Sequence, residues 1–166
     1  MTTTVPNDAW RSPWSPSAFI ATTLLWAATQ ATLVPAVLAL RRIGAAGAGT
    51  VARWGLGLAL AGIVTGVVAH LSSLPFVYAK FNDVILVAAL FGVGALLSTV
   101  GFLMVGIGTM RTARWTGLFR WTPLGIGVAG VALMFLQFTP LLPAAVGVYY
   151  LGFVPLGLAI ARTGHS

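Results

Sequence analysis

The chain has no cysteine, and only 7% of its 166 residues are charged. Without cysteine there can be no disulfide bond, thiolate metal site or cysteine nucleophile. The low charge is more informative, because a soluble domain carries about 25% charged residues. Since 58% of the residues are hydrophobic, we expect an integral membrane protein whose apolar side chains face lipid directly.

Acidic residues are nearly absent as well. The chain has two, Asp8 and Asp83, and neither falls inside a long apolar run. Proton pumps and ion-coupled transporters usually place ionisable residues near the middle of the membrane, so their lack here argues against proton-coupled transport. The same lack removes the paired acids on which most intramembrane hydrolases depend. The sequence therefore favours a non-catalytic protein, and no cofactor is expected.

The nine basic residues give a formal net charge of +7, but they do not form a basic arm or face. They stand in ones and twos at the ends of apolar runs, which is typical of membrane anchors and does not indicate nucleic-acid binding. Eight of them are arginine, and alanine and glycine are abundant. This composition suggests a GC-rich bacterial genome, so we expect a multi-pass protein of the bacterial cytoplasmic membrane.

Long apolar runs define the expected fold. A helix needs about 20 apolar residues to cross the hydrocarbon core. The sequence predicts an all-α bundle of five transmembrane helices that forms a single transmembrane domain over residues 17–163, preceded by an N-terminal segment, residues 1–16. The predicted spans are residues 17–40, 53–72, 84–109, 122–139 and 141–161.

The distribution of arginine predicts the orientation of these spans. One set of connecting segments carries seven basic residues, and the opposite set carries Arg11 and Lys80 together with both acids. Basic residues accumulate in cytoplasmic loops, so we expect a cytoplasmic C-terminus and an N-terminus outside the cytoplasm. The seven residues are Arg41, Arg42, Arg53, Arg111, Arg114, Arg120 and Arg162.

Two segments suggest an internal repeat. GFLMVGIGTMRT at 101–112 and GFVPLGLAIART at 152–163 are identical at five of twelve positions, and the second and fourth spans both open with Arg-Trp. The pattern predicts a two-helix hairpin that is used twice in the same orientation, a parallel repeat. The alternative is chance similarity, because an alphabet dominated by Gly, Ala, Leu and Val produces such matches easily.

The segment GIGVAG, residues 125–130, matches the dinucleotide-binding pattern G-x-G-x-x-G. That pattern requires a preceding strand and an acid about 20 residues later. Here it lies in a predicted span and no acid follows it. We therefore interpret these glycines, like Gly62 and Gly66, as positions where helix backbones approach closely.

Polar residues within the spans indicate where a ligand could bind. They lie mostly at mid-depth or in the half of the membrane predicted to face outward, and such groups normally face a partner or a cavity. The sequence predicts an outward-facing pocket for a lipophilic small molecule or lipid. Interhelical hydrogen bonding is the alternative explanation for these side chains. The predicted ligand-binding residues are Trp26, Gln30, His70, Gln137, Tyr149 and Tyr150.

Two other functions remain open at this point. The short loops and glycine-rich helix faces are compatible with an accessory subunit of a larger membrane complex. A membrane enzyme that uses His70 with Asp83 or a tyrosine is the other alternative. The expected partners are accordingly membrane lipids, a lipophilic small molecule, and either a second copy of the chain or another membrane protein.

Overall fold

The computed structural model describes residues 8–112, 114–136, 139 and 141–163, and it contains no β-strand within these ranges. Short 3₁₀ helices at Leu74–Phe76, Phe81–Val84 and Gly117–Trp121 link the α-helices. The α-helices are α1 (Pro16–Ile43), α2 (Thr50–Ser73), α3 (Ile85–Thr112), α4 (Thr122–Leu136), α5 (Leu142–Leu151) and α6 (Phe153–Thr163).

Five segments of this structure are long and apolar enough to cross a membrane. Their number and approximate positions agree with the five predicted spans, so the expected all-α architecture is confirmed. The segments are Pro16–Ile43, Thr50–Phe76, Phe81–Thr112, Gly117–Leu136 and Ala145–Arg162.

The last span differs in detail from the prediction of one helix over 141–161. It is divided at Gly152 into α5 and α6. Pro155 explains the division, because proline has no N–H to donate to the carbonyl of Leu151 and its ring clashes with that carbonyl in a regular helix. In the fourth span, α4 is described as far as Leu136, and residues 137 and 138 of the predicted span lie outside the described ranges.

The glycines of α2 and α3 allow these two helices to form the most extensive contact of the bundle. A Cβ atom on Gly62 would collide with the backbone nitrogen of Ser98, and one on Gly101 would collide with the backbone of Ala59. Hydrogen at these positions lets the two backbones touch, which is how small residues drive helix association in membranes. The predicted packing role of Gly62 is therefore confirmed.

Helix α4 packs on α3 in the same manner. A Cβ on Gly127 would lie 2.7 Å from the backbone nitrogen of Leu103, and one on Gly130 would collide with the hydroxyl of Thr99. Gly125, by contrast, has open space around its Cα. The GIGVAG segment is thus a stretch of helix whose second and third glycines are packing positions.

The two ends of the bundle differ in character. The arginine-rich end, where α1 and α3 finish and α2 begins, contains the buried apolar core, with Leu40, Phe102 and Leu156 fully buried. Helix α6 contacts both α1 and α4 there, whereas α5 packs mainly on α4. The N-terminal end, where α1 and α3 begin, is less tightly filled and contains the cavity described below.

At the N-terminal end, residues 8–15 are fixed to the connection between α2 and α3. The N–H of Trp10 donates to the carbonyl of Ala79 at 2.9 Å, and the N–H of Phe81 donates to that of Asp8 at 2.9 Å. An exposed ion pair joins Lys80 to Asp8 at 3.5 Å. These contacts place Trp10 at the N-terminal end of the bundle, close to Phe91 of α3.

Candidate functional site

The N-terminal half of the bundle contains a partly open cavity of about 580 Å³. All five helices from α1 to α5 contribute to its wall. Ligand pockets in proteins commonly measure 300–1,000 Å³, so this space matches a small organic molecule or part of a lipid.

Five of the six predicted ligand-binding residues line this one cavity. They come from three helices, α1, α2 and α5. The five are Trp26, Gln30, His70, Tyr149 and Tyr150. The sixth, Gln137, lies outside the described residues. Their convergence is a finding, and the binding of a ligand by them stays a prediction.

Gln30 owes its position to a glycine on the neighbouring helix. A Cβ on Gly66 would lie 2.6 Å from Oε1 of Gln30, so the amide rests directly on the α2 backbone. The same side chain approaches the hydroxyl of Tyr150 as a hydrogen-bonding neighbour. Gly66 thus makes room for a polar group at mid-depth, beside Tyr150 of α5.

Aromatic rings form the boundary between the cavity and the core below it. The ring of Tyr150 lies 5.0 Å from that of Trp26 and 5.4 Å from that of Tyr149, measured between centroids. Phe153 continues the chain of rings, 5.4 Å from Tyr149 and 5.3 Å from the buried Phe102. The tyrosines therefore have rigid support on the side away from the cavity.

His70 lies at the boundary of the cavity that is nearest the N-terminal segment. Its ring meets the edge of Phe91 at 4.7 Å between centroids. Together with Trp26, these two residues also line a second, smaller cavity of about 220 Å³, which extends to Trp10 and Ser12. The three side chains thus separate the main cavity from a space beneath the N-terminal segment.

Sequence reasoning missed several residues of the wall. Phe91 and Met134 gave no signal because they are apolar residues in apolar spans, although Phe91 touches His70. Gly92 also lines the cavity, and a Cβ there would meet no atom within 4 Å. In a long helix rich in glycine, only the structure distinguishes a glycine beside empty space from one beside another backbone.

The threonine hydroxyls of α1 near Trp26 form hydrogen bonds within their own helix. Thr22 donates to the carbonyl of Ala18 at 2.7 Å, and Thr29 donates to that of Leu25 at 2.8 Å. Such bonds within one helix leave no donor to link neighbouring helices. Interhelical bonding therefore does not explain these two polar groups, although Thr22 lines the smaller cavity.

The chemistry of the main cavity is neutral and mostly apolar. Among the described residues, no Asp, Glu, Lys or Arg lines it. An amide, an imidazole and two phenols can donate or accept hydrogen bonds, while aromatic and aliphatic groups supply the remaining surface. A cavity of this kind suits an uncharged, largely apolar molecule with one or two polar atoms.

The groups required by the enzyme alternative are not joined by hydrogen bonds. The carboxylate of Asp83 accepts from the backbone N–H of Lys80 at 3.4 Å, in the 3₁₀ helix that precedes α3. His70 packs against Phe91, and within the described ranges no hydrogen bond connects it to Asp83. No group of three or more His, Asp or Glu residues is placed to hold a metal ion in the described part of the chain.

Comparisons with known proteins do not identify a family for this chain. The chain matches no family model, and neither curated proteins nor solved structures show a significant similarity to it.

Proposed function

We propose that this protein binds, or carries, a lipophilic small molecule or lipid in the cavity of its N-terminal half. The observation that supports this function most strongly is the convergence of five polar and aromatic residues from three helices on one space of about 580 Å³. Helix packing alone would fill such a space, because an empty cavity forfeits dispersion contacts with the atoms that line it.

The character of the wall limits the ligand. Because the cavity wall has no charged side chain in the described residues, an ionic ligand would lose its hydration without gaining a counter-charge. Gln30 and Tyr150 can bond a carbonyl or hydroxyl at mid-depth, and His70 can bond a second polar atom nearer the N-terminal end. We therefore favour a neutral molecule with an apolar body and a small polar head.

Native mass spectrometry of protein extracted gently from its own membrane tests this function. We expect a bound small molecule that is retained by the wild type. Gly92→Leu should lose it, because the new side chain enters the cavity through open space. Gly125→Leu is the matched control, since Gly125 also has open surroundings but lines no described cavity.

Two outcomes would count against the proposal. One is a wild-type protein without any adduct after extraction, even when total lipid from the same membrane is added back. The other is an adduct that Gly92→Leu and Gly125→Leu retain equally. A second protein that co-migrates with the chain would instead support the accessory-subunit alternative. Substitutions at exposed helix positions that abolish this co-migration would then map the contact between the two proteins.

We further propose the orientation that the arginines indicate, with the arginine-rich end cytoplasmic and the cavity toward the outside. The chain lacks cysteine, so single cysteines at Tyr78 and Leu118, which are 78% and 84% exposed at opposite ends, can report it. A membrane-impermeant maleimide should label Tyr78→Cys in intact cells and Leu118→Cys only after lysis. The reverse labelling pattern would show that the arginine-rich end lies outside the cytoplasm.

The parallel repeat and the bacterial cytoplasmic membrane remain proposals based on the sequence. The repeat has Arg-Trp at the start of the second and fourth spans in its favour, and the five identities between 101–112 and 152–163. The break at Gly152 has no equivalent at Gly101, which lies within the continuous helix α3. The two copies of the proposed repeat differ in the shape of their final helix.

A further inference from the structure

A second cavity lies at the opposite end of the bundle, in the groove between α1 and α2. It measures about 450 Å³ and is lined by the arginines Arg41, Arg53 and Arg114. The remaining wall is mostly aliphatic and includes Leu38 and Leu60. Charged groups thus occupy one part of this groove and apolar groups the other.

Among the described residues, no acidic side chain lies near the positive charge of this groove. The chain contains only two acids, Asp8 and Asp83, and both lie at the N-terminal end beside Lys80. Within the described part of the chain, the side chains of Arg41 and Arg53 make no hydrogen bond or ion pair. An anion from outside the protein must neutralise them, or they remain unpaired at the membrane surface.

Other arginines at this end have structural partners. Arg114 donates to the carbonyl of Gly44 at 3.2 Å, which ties the segment after α3 to the end of α1. Arg120 donates to the carbonyl of Met110 at 2.9 Å, and Arg162 lies 5.1 Å from the ring of Phe119. Arg41 and Arg53 are therefore the groove residues that have no comparable task.

The apolar part of the groove distinguishes a lipid from a soluble anion. Leu38 and Leu60 lie about one and two helical turns deeper in the bilayer than Arg41 and Arg53, roughly 5–10 Å along the helix axes. Gly57 between them leaves the groove open, because a Cβ there would meet no atom within 4 Å. A phosphate held by the arginines would direct an attached acyl chain along this surface.

We propose that this groove is a binding site for an anionic glycerophospholipid, with the phosphate between Arg41 and Arg53 and an acyl chain against Leu38 and Leu60. Basic pockets between transmembrane helices bind anionic headgroups in this way. The site is separate from the cavity at the N-terminal end and does not depend on the ligand proposed there.

Titration with phosphatidylglycerol and phosphatidylcholine, followed by native mass spectrometry, tests this site. We expect wild type to prefer phosphatidylglycerol, and Arg41→Gln/Arg53→Gln to bind it about 30-fold more weakly, since each arginine near a membrane surface contributes a factor of roughly five. Arg42→Gln/Arg111→Gln is the control, because it removes the same charge from exposed residues at the same end that do not line the groove.

Gly57→Leu provides an independent variant that leaves every arginine in place. It should displace phosphatidylglycerol by filling the apolar part of the groove. Equal binding of both lipids by wild type, or equal losses in the two arginine double variants, would overturn the site in favour of general surface charge. Displacement of phosphatidylglycerol by millimolar inorganic phosphate, with Gly57→Leu unchanged, would make the site one for a soluble anion and reject the lipid.

Discussion

The ring of Trp26 on α1 and the ring of Tyr150 on α5 lie 5.0 Å apart at an interplanar angle of 43°. This contact closes the ring of helices around the cavity, because α5 otherwise packs mainly on α4. The two residues come from opposite ends of the chain, so their meeting also links its first and last spans.

The Trp26–Tyr150 contact can be measured by a double-mutant cycle. We expect Trp26→Ala and Tyr150→Ala to show a coupling energy of about 0.5–1.5 kcal/mol in the free energy of unfolding, as aromatic pairs do elsewhere. Trp54, which is 65% exposed, supplies the control: Trp54→Ala should be additive with Tyr150→Ala. Additive effects of Trp26→Ala and Tyr150→Ala would mean that the two rings do not stabilise one another.

Gly66→Ala tests the position of Gln30. The added methyl group would lie 2.6 Å from Oε1 of Gln30, and the flexible amide can turn away from it. We therefore expect little loss of stability, since alanine also favours a helix over glycine by roughly 0.5–1 kcal/mol, but clearly weaker retention of the ligand. Gly92→Ala is the control, because it adds the same methyl group to the same cavity without a collision.

The two readouts separate a ligand contact from a packing effect. If Gln30 contacts the ligand, Gly66→Ala and Gln30→Ala should weaken retention similarly, and the double variant should be no worse than either one. Unchanged retention in both single variants would remove Gln30 from the site while leaving the cavity itself unaffected.

Gly62→Ala should destabilise the protein much more than a substitution elsewhere on the same helix. Its methyl group would collide with the backbone of Ser98, which cannot move without shifting α3. We expect a loss of about 1–3 kcal/mol in the free energy of unfolding. Gly57→Ala should be neutral or stabilising, because its surroundings are open and alanine favours a helix over glycine by roughly 0.5–1 kcal/mol. Similar losses in both variants would contradict this contact.

Thr109→Val tests the connection between α3 and α4. The hydroxyl of Thr109 is fully buried, donates to the carbonyl of Gly106 at 2.8 Å and lies 3.2 Å from that of Arg120. Loss of this hydroxyl should cost about 0.5–1.5 kcal/mol in the free energy of unfolding. Thr122→Val, which removes an exposed hydroxyl, should change it little, and an equal effect of both would argue against the buried bond.

The architecture was accessible from the sequence because crossing a membrane imposes a simple requirement. Apolar runs of sufficient length must be helical, and this alone placed the starts and ends of α1, α2 and α3 within about three residues. The break at Gly152 was missed because proline is tolerated in many membrane helices, so Pro155 alone did not indicate two helices.

The site could be predicted only in part. Polar residues stand out against an apolar background, and Gln30, His70 and Tyr150 were identified for that reason. Phe91 and Gly92 could not be identified, since their types are ordinary in a span and their importance depends on which side of α3 faces empty space. The groove between α1 and α2 was missed for a related reason: Arg41 and Arg53 are equally typical of membrane anchors.

The division of the last span ties the cavity wall to the core. Gly152 lies between the two tyrosines of α5 and helix α6, which is held against α1 and α4. The ring of Tyr149 packs on Phe153, and Phe153 packs on the buried Phe102. The shape of the cavity is therefore set partly by core residues that do not line it.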